Sequence, residues 1–416
     1  RAVQGIGGAL MVPGSLAIIS AAFDEERRGK AIGTWSGFSG ITTALGPVLG
    51  GYLIENVSWR AAFLINVPLA AVVILISLRH VPESRDPGAA RLDFPGAVLA
   101  TLGLGGVVYG LIQSNVASFD DPVVLASLAL GASALVAFIF VERRSREPMM
   151  PLALFKSRNF SGANLLTLLL YAGLGGSLFF LPFVLIQAHG YSATAAGSAF
   201  LPFVVITFLL SRWAGGLVDR YGAKLPLTIG PIITAAGFLL FALPGTGGSY
   251  WTTFFPAIVV QGLGMSLVIA PLTTTALNAV EGRHSGLASG INNAISRSAG
   301  LLAIAVFGVF VFATFSSALD SRLASIDLPP AAREQMEQEK VRLGAAEPPE
   351  GVPDEQAARI EEAVDGAFVS GFRVVMFVSA GLAVASALAA ATLIEGKGHF
   401  ERPEEAGQAE TGASPV

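Results

Sequence analysis

Eleven apolar blocks recur along the chain, each roughly as long as a membrane-crossing helix, and they leave little room for another architecture. They fall near Ala2–Phe23, Ala31–Ile54, Ala61–Leu78, Pro95–Ile112, Pro122–Val141, Phe160–Gln187, Ala193–Val218, Leu225–Leu243, Trp251–Val280, Ser285–Phe315 and Ala367–Ile394. In hydrocarbon only helices and closed barrels satisfy every backbone hydrogen bond. The strict alternation of barrel strands is absent, so the blocks predict an all-α polytopic membrane protein. Only 13% of the residues are charged, against about 25% in a soluble domain. The 48 glycines and 23 prolines, read as loops in a soluble chain, suit closely packed helices in lipid.

The linkers set the expected orientation. Alternate ones are basic: Arg27, Arg28 and Lys30; Arg79, Arg85 and Arg91; Arg143, Arg144, Arg146, Lys156 and Arg158; Arg220 and Lys224; Arg283. The other short linkers carry almost none, with only Arg60 near one. Basic linkers stay cytoplasmic, so the first span runs inward and the tail from Glu395 is cytoplasmic. One outside linker is long, Ser316 to Asp365, with short helices expected over Ala331–Leu343 and Asp354–Val364 in an otherwise solvated loop. The tail Glu401–Val416 reads as disordered. Arg1 stands where Met would begin a gene product, directly before an apolar run, and reads as a missing N-terminus.

Several chemistries are excluded. The chain has no cysteine, so it has no disulfide, thiol nucleophile or thiolate metal site. No G-x-x-x-x-G-K-[ST] phosphate loop appears, so ATP does not drive work from this chain. His80, His189, His284 and His399 are scattered without ligand spacing. No catalytic constellation, metal site or cofactor is expected, and the net charge of −4 argues against nucleic acid. Energy then comes from an ion gradient, in which one charge crossing 100 mV supplies about 2.3 kcal/mol.

Four stretches resemble motifs of the major facilitator superfamily. Arg1-Ala-Val-Gln4-Gly5-Ile-Gly7 resembles the R-x-x-Q-G-x-G motif of its fourth helix, and Gly46-Pro47-Val-Leu-Gly50-Gly51 the G-P-x-x-G-G motif of the fifth helix of its antiporters. Ser58-Trp59-Arg60, followed by Phe63, Asn66 and Pro68, is similar to the opening of the sixth helix in the fourteen-span drug:proton antiporters. Gly216-Leu-Val-Asp219-Arg220-Tyr-Gly222-Ala-Lys224 resembles the cytoplasmic G-x-L-x-D-R-x-G-x-K loop. The resemblance implies a two-bundle fold with about 11 of 14 helices present. Residues 1–80 would be the remainder of the N-terminal bundle, 81–159 an inserted helix pair with its linkers, 160–394 the C-terminal bundle with the external loop 316–366, and 395–416 the tail.

The same resemblance assigns roles. Arg1 and Gln4 would serve proton coupling, Arg1 by biasing a nearby carboxylate, since an intramembrane cation is costly unless paired or hydrated. The alternative is an interfacial Arg whose head reaches water. Gly40, Gly46, Pro47, Gly50 and Gly51 would form a bent, close-packing helix that seals the external side, beyond a plain packing role. Asp219, Arg220 and Lys224 would form a conformational latch, or else only a solvated turn that fixes topology. Asn292, Arg297, Phe179 and Phe183 are cavity candidates, while each Phe could equally pack or face lipid. Asn164, Gln187, Gln261, Asn278 and Asn293 are further polar residues within spans.

The function implied is proton-coupled antiport that exports amphipathic or cationic drugs, by a monomer in the bacterial inner membrane whose partners are lipid, small substrates and protons. One alternative is a dedicated exporter of a single antibiotic, lipid or siderophore. Another is a non-transporting membrane partner or sensor.

Overall fold

The computed structural model describes residues 45–81, 93–145, 147–280 and 285–396, together with Gln4, Gly5, Gly7, Gly8, Ile18 and Thr42. Among the described residues there is no strand, and nine helices are long and apolar enough to cross a membrane. They coincide with nine of the eleven expected blocks; Ala2–Phe23 and Ala31–Ile54 lie largely outside the described residues. Many large side chains on these helices stand exposed, among them Leu130 (71%), Leu209 (66%) and Leu388 (61%), a surface that only lipid or another protein face can cover.

The chain divides into two compact units, Arg1–Arg91 with Tyr191–Val205, and Leu92–Gly190 with Ile206–Val416. The first contains helix α1 over residues 45–56, α2 at Asn66–His80 and α6 at Ala193–Ser198. Ser192 caps α6 by accepting the Ala195 amide. The block expected from Ala193 to Val218 is broken after α6, and α7 (Leu201–Tyr221) follows. Pro202 has no N–H to offer the carbonyl four residues back, so the first helix cannot run into the second.

In the second unit, α3 (Phe94–Ala117) and α4 (Pro122–Arg144) form a hairpin. Asp93 and Asp121 cap them, each followed by a proline in the first turn that is preset for helix. The hairpin closes tightly where Gly106 meets Gly131: a methyl on Gly131 would lie 2.6 Å from the Val107 nitrogen. The core is built by α5 (Arg158–Phe183), α10 (Ser285–Leu323) and α12 (Asp354–Leu393), which pack on one another. Helix α8 (Lys224–Phe241) packs on both α9 (Phe255–Asn278) and α12, and the hairpin joins this core through α3 and α10. Pro182 loosens the end of α5, and a π-turn follows at Val184–Ala188.

The long linker differs from expectation. Its second short helix is not separate: Asp354–Val364 forms the first turns of the 40-residue α12, which runs on through the last span. Helix α10 likewise continues past Phe315 to Leu323. Neither overrun contains a proline, and Pro329, Pro330 and Pro353 stand just before or at the starts of the next helices. At 1.5 Å per residue the 40-residue helix is about 60 Å long, twice a bilayer core, so it extends well beyond the hydrocarbon. Between the overruns lie α11 (Pro330–Glu339) and a 3₁₀ stretch at Lys340–Ala345. Leu319, Leu323, Ile326, Leu328, Met336 and Ile360 are buried and give the linker a small core of its own. The Lys340 ammonium is buried against Asp320 (2.7 Å) and Glu337.

Candidate functional site

The glycine-proline motif makes a seam within the first unit. A methyl added at Gly51 would collide with the backbone of Ala193 and lie 2.9 Å from the Thr194 Cα; one added at Gly197 would strike the Pro47 carbonyl, 2.7 Å from its carbon. Helices α1 and α6 thus touch backbone to backbone at two places one turn apart, each permitted by a glycine. The other two motif glycines differ. A methyl on Gly46 or Gly50 meets nothing within 4 Å. At the end of the seam, Glu55 accepts from the Thr194 amide (3.1 Å) and hydroxyl (2.6 Å). Those bonds, the hydroxyl first, hold the Glu55 carboxyl below the usual range. Gly197 and Glu55 escaped the sequence reading. Gly197 is one glycine among many, and Glu55 sits at a block's edge.

In the second unit Asn292 is a tie between helices. Its Nδ2 donates to Asn164 Oδ1 at 3.1 Å and to Thr167 Oγ1 at 2.7 Å, joining α10 to α5 where Asn164 and Thr167 are buried. Arg297 lies five residues on, about 140° around the helix, so it leaves that face. Phe179 and Phe183 contact one another, with ring centroids 5.4 Å apart, and both are partly exposed. They lie twelve and sixteen residues beyond Thr167 on α5, about 18 and 24 Å along its axis. The structure therefore brings the two Phe together and places them at a different depth from Asn292.

The loop between α7 and α8 turns at Gly222, whose φ of +78° favours glycine and whose amide returns to the Val218 carbonyl (2.8 Å). The Arg220 guanidinium lies over the Tyr221 ring at 5.3 Å, and Lys224 opens α8. Gln4 is helical and exposed. Arg1, Gly40, the Asp219 side chain and the tail lie outside the described residues.

Two features went unread in the sequence. Arg373, inside the last expected block, donates from Nε to the Ala242 carbonyl (2.8 Å) and from Nη2 to that of Pro244 (3.3 Å). An arginine within an apolar block was signal enough to find it. A cavity of about 690 Å³ opens between the hairpin and the core. Leu104 of α3, Leu135 and Phe138 of α4, Leu168 of α5 and Ile291 of α10 wall it, with Met150 from the linker, and it is almost wholly apolar. Such lining accepts apolar or amphipathic molecules and offers nothing for chemistry on them.

Comparison with known proteins decides the family. The sequence profile of the Major Facilitator Superfamily matches residues 1–304. The chain belongs to that superfamily. It is 30% identical to the tetracenomycin C resistance and export protein of Streptomyces glaucescens, over 97% of this chain and 76% of that one. It is 32% identical to the multidrug resistance protein Stp of Mycobacterium tuberculosis, over 78% of this chain and 60% of that one. In fold it is similar to the crystal structure of a bacterial homologue of the human lysosomal transporter Spinster, with a TM-score of 0.52 and 14% identity over 90% of this chain and 72% of that one. The chain thus spans between 60% and 76% of the two curated relatives.

Membership of the superfamily makes this a multi-pass membrane transporter of small molecules and not an enzyme.

Proposed function

We propose that the intact transporter is a proton-coupled antiporter that exports amphipathic or cationic compounds, with its substrate site near the membrane midplane between the bundles. The observation that carries this reading is the seam at Gly51 and Gly197, built on the stretch that resembles the antiporter motif. A closure without intervening side chains excludes water and leaking ions on one side, as an exporter working against a gradient requires. The names of the relatives, resistance and export proteins, support the direction of transport. Arg1 and Gln4 would serve the proton, and Asp219, Arg220 and Lys224 would latch the cytoplasmic side, the side that would also carry the C-terminal tail. The protein would act as a monomer, and no cofactor beyond the proton gradient is invoked.

A second reading, export of one antibiotic, is favoured by the match along 97% of this chain to a relative named for tetracenomycin C. One assay separates the two. Ethidium accumulation is measured in an efflux-deficient host expressing the full-length gene, with and without a protonophore, beside Arg1→Ala. Low accumulation that rises with protonophore and with the substitution supports proton-coupled multidrug export. Unchanged accumulation with confirmed membrane expression refutes it and favours the dedicated exporter.

A further inference from the structure

Two carboxyl groups meet at the open end of the α3–α4 hairpin, 49 positions apart in sequence. Asp93 caps α3, its Oδ1 accepting the Gly96 amide at 2.9 Å. Glu142, in the last turn of α4, is 2% exposed, and its Oε2 accepts the Met150 amide at 3.0 Å. The remaining oxygens, Asp93 Oδ2 and Glu142 Oε1, are shielded from solvent and receive no donor from the protein. They converge on one spot: a methyl on Gly96 would lie 2.7 Å from the first and 2.9 Å from the second. The two oxygens thus flank the same point at the start of α3.

Two carboxylate oxygens only accept, so a bond between them needs a proton on one. Among the described residues no cation is bonded to either oxygen. Of the described charged residues on neighbouring segments, Arg143 and Arg144 in the last turn of α4, Glu147 beyond it, Lys156, and Arg158 at the start of α5 are exposed. Arg158 is engaged with the Thr392 carbonyl, and Glu395 at the end of α12 bonds Asn159. Among the described residues, the Glu142 carboxyl faces the Met150 amide and Asp93.

We propose that Asp93 and Glu142 form a proton-binding site, sharing one proton in a carboxylic acid–carboxylate bond that clasps the hairpin's open end. The bound proton joins the start of α3 to the end of α4, and through the Met150 amide it holds the linker that lines one wall of the apolar cavity. Base removes the proton and leaves two like charges side by side, so the clasp opens and the linker loosens. The proposal stands whether the transporter exports many compounds or one.

The test uses the full-length transporter in lipid nanodiscs and reads the infrared carbonyl stretch of a protonated carboxylic acid. The wild type should show this band at neutral pH and lose it in alkali. Glu142→Gln and Asp93→Asn each supply an N–H in place of the shared proton, so the bond survives while the remaining carboxyl ionises. Either substitution alone should abolish the band. In parallel, hydrogen exchange over residues 147–152, corrected for its intrinsic pH dependence, should quicken about tenfold in alkaline wild type, as for one pH unit of coupling, and stay flat in both variants. A band that persists in both variants overturns the proposal. So does a wild type that lacks the band and instead retains sodium or calcium at one ion per chain. If one variant fails to fold, the other carries the same comparison.

Discussion

Replacing Gly51 or Gly197 by alanine should open the seam between α1 and α6, and its magnitude follows from the contacts. Each new methyl would sit under 3.0 Å from backbone atoms, which cannot rotate away as a side-chain tip can. One helix must shift, and overpacking of this kind costs about 1–3 kcal/mol. Charged against the closed state only, that moves a two-state equilibrium by about 5- to 150-fold. The chain has no cysteine, so a single thiol can report the seam without background. Val48→Cys serves, because its backbone nitrogen lies 3.3 Å from where a methyl on Gly197 would stand. The rate of labelling by an impermeant maleimide should rise in Gly51→Ala and in Gly197→Ala. The double variant should gain much less than the product of the two, since a seam already opened has little left to lose. Gly46→Ala in the same motif should match the parent, as its methyl meets nothing. Equal effects from Gly46 and Gly51, or full additivity of the two seam variants, would refute the reasoning.

Other substitutions test the supporting structure. Asn292→Ala removes both donors to Asn164 and Thr167 and should lower stability by about 1–2 kcal/mol, read as a lower midpoint in a thermal melt of the purified protein. Burial of the Lys340 amine lowers its proton affinity, but Asp320 and Glu337 outweigh this and hold it above the ordinary lysine value. Its contribution is therefore full at neutral pH and fades as pH climbs through that raised value, so the melting difference between wild type and Lys340→Met should shrink in alkali. The Glu55 carboxyl is held low by Thr194, so its bond is present at neutral pH and lost as pH falls through the depressed value. Thiol labelling at position 48 should accordingly rise in strong acid in the parent and be insensitive to acid in Glu55→Gln.

Hydropathy, charge alternation and motif spacing are local properties, and what depends on them was legible in the sequence. The nine described spans, the helical class and the superfamily are of this kind. So is the turn at Gly222, because glycine and a change of polarity mark it without any partner. The overruns of α10 and α12 were less legible, since a run of Glu, Gln and Ala has the same appearance whether it stands alone or continues a span. The functional contacts were not legible at all. Nothing in the sequence sets Gly197 apart from the other glycines, turns Asn292 toward Thr167, or brings Asp93 to Glu142.

The reason lies in the solvent. In water an amphipathic stripe fixes how a helix is rotated about its axis, and the partners can be read from the polar and apolar faces. A helix in lipid is apolar all round, so sequence determines that it spans the bilayer and leaves its rotation open. The rotation here is decided by tertiary contacts between small residues and a few buried polar groups. Gly51 is set against Ala193, Gly131 against Val107, and Glu142 between Asp93 and Met150, and each needs two segments in place before its energy exists.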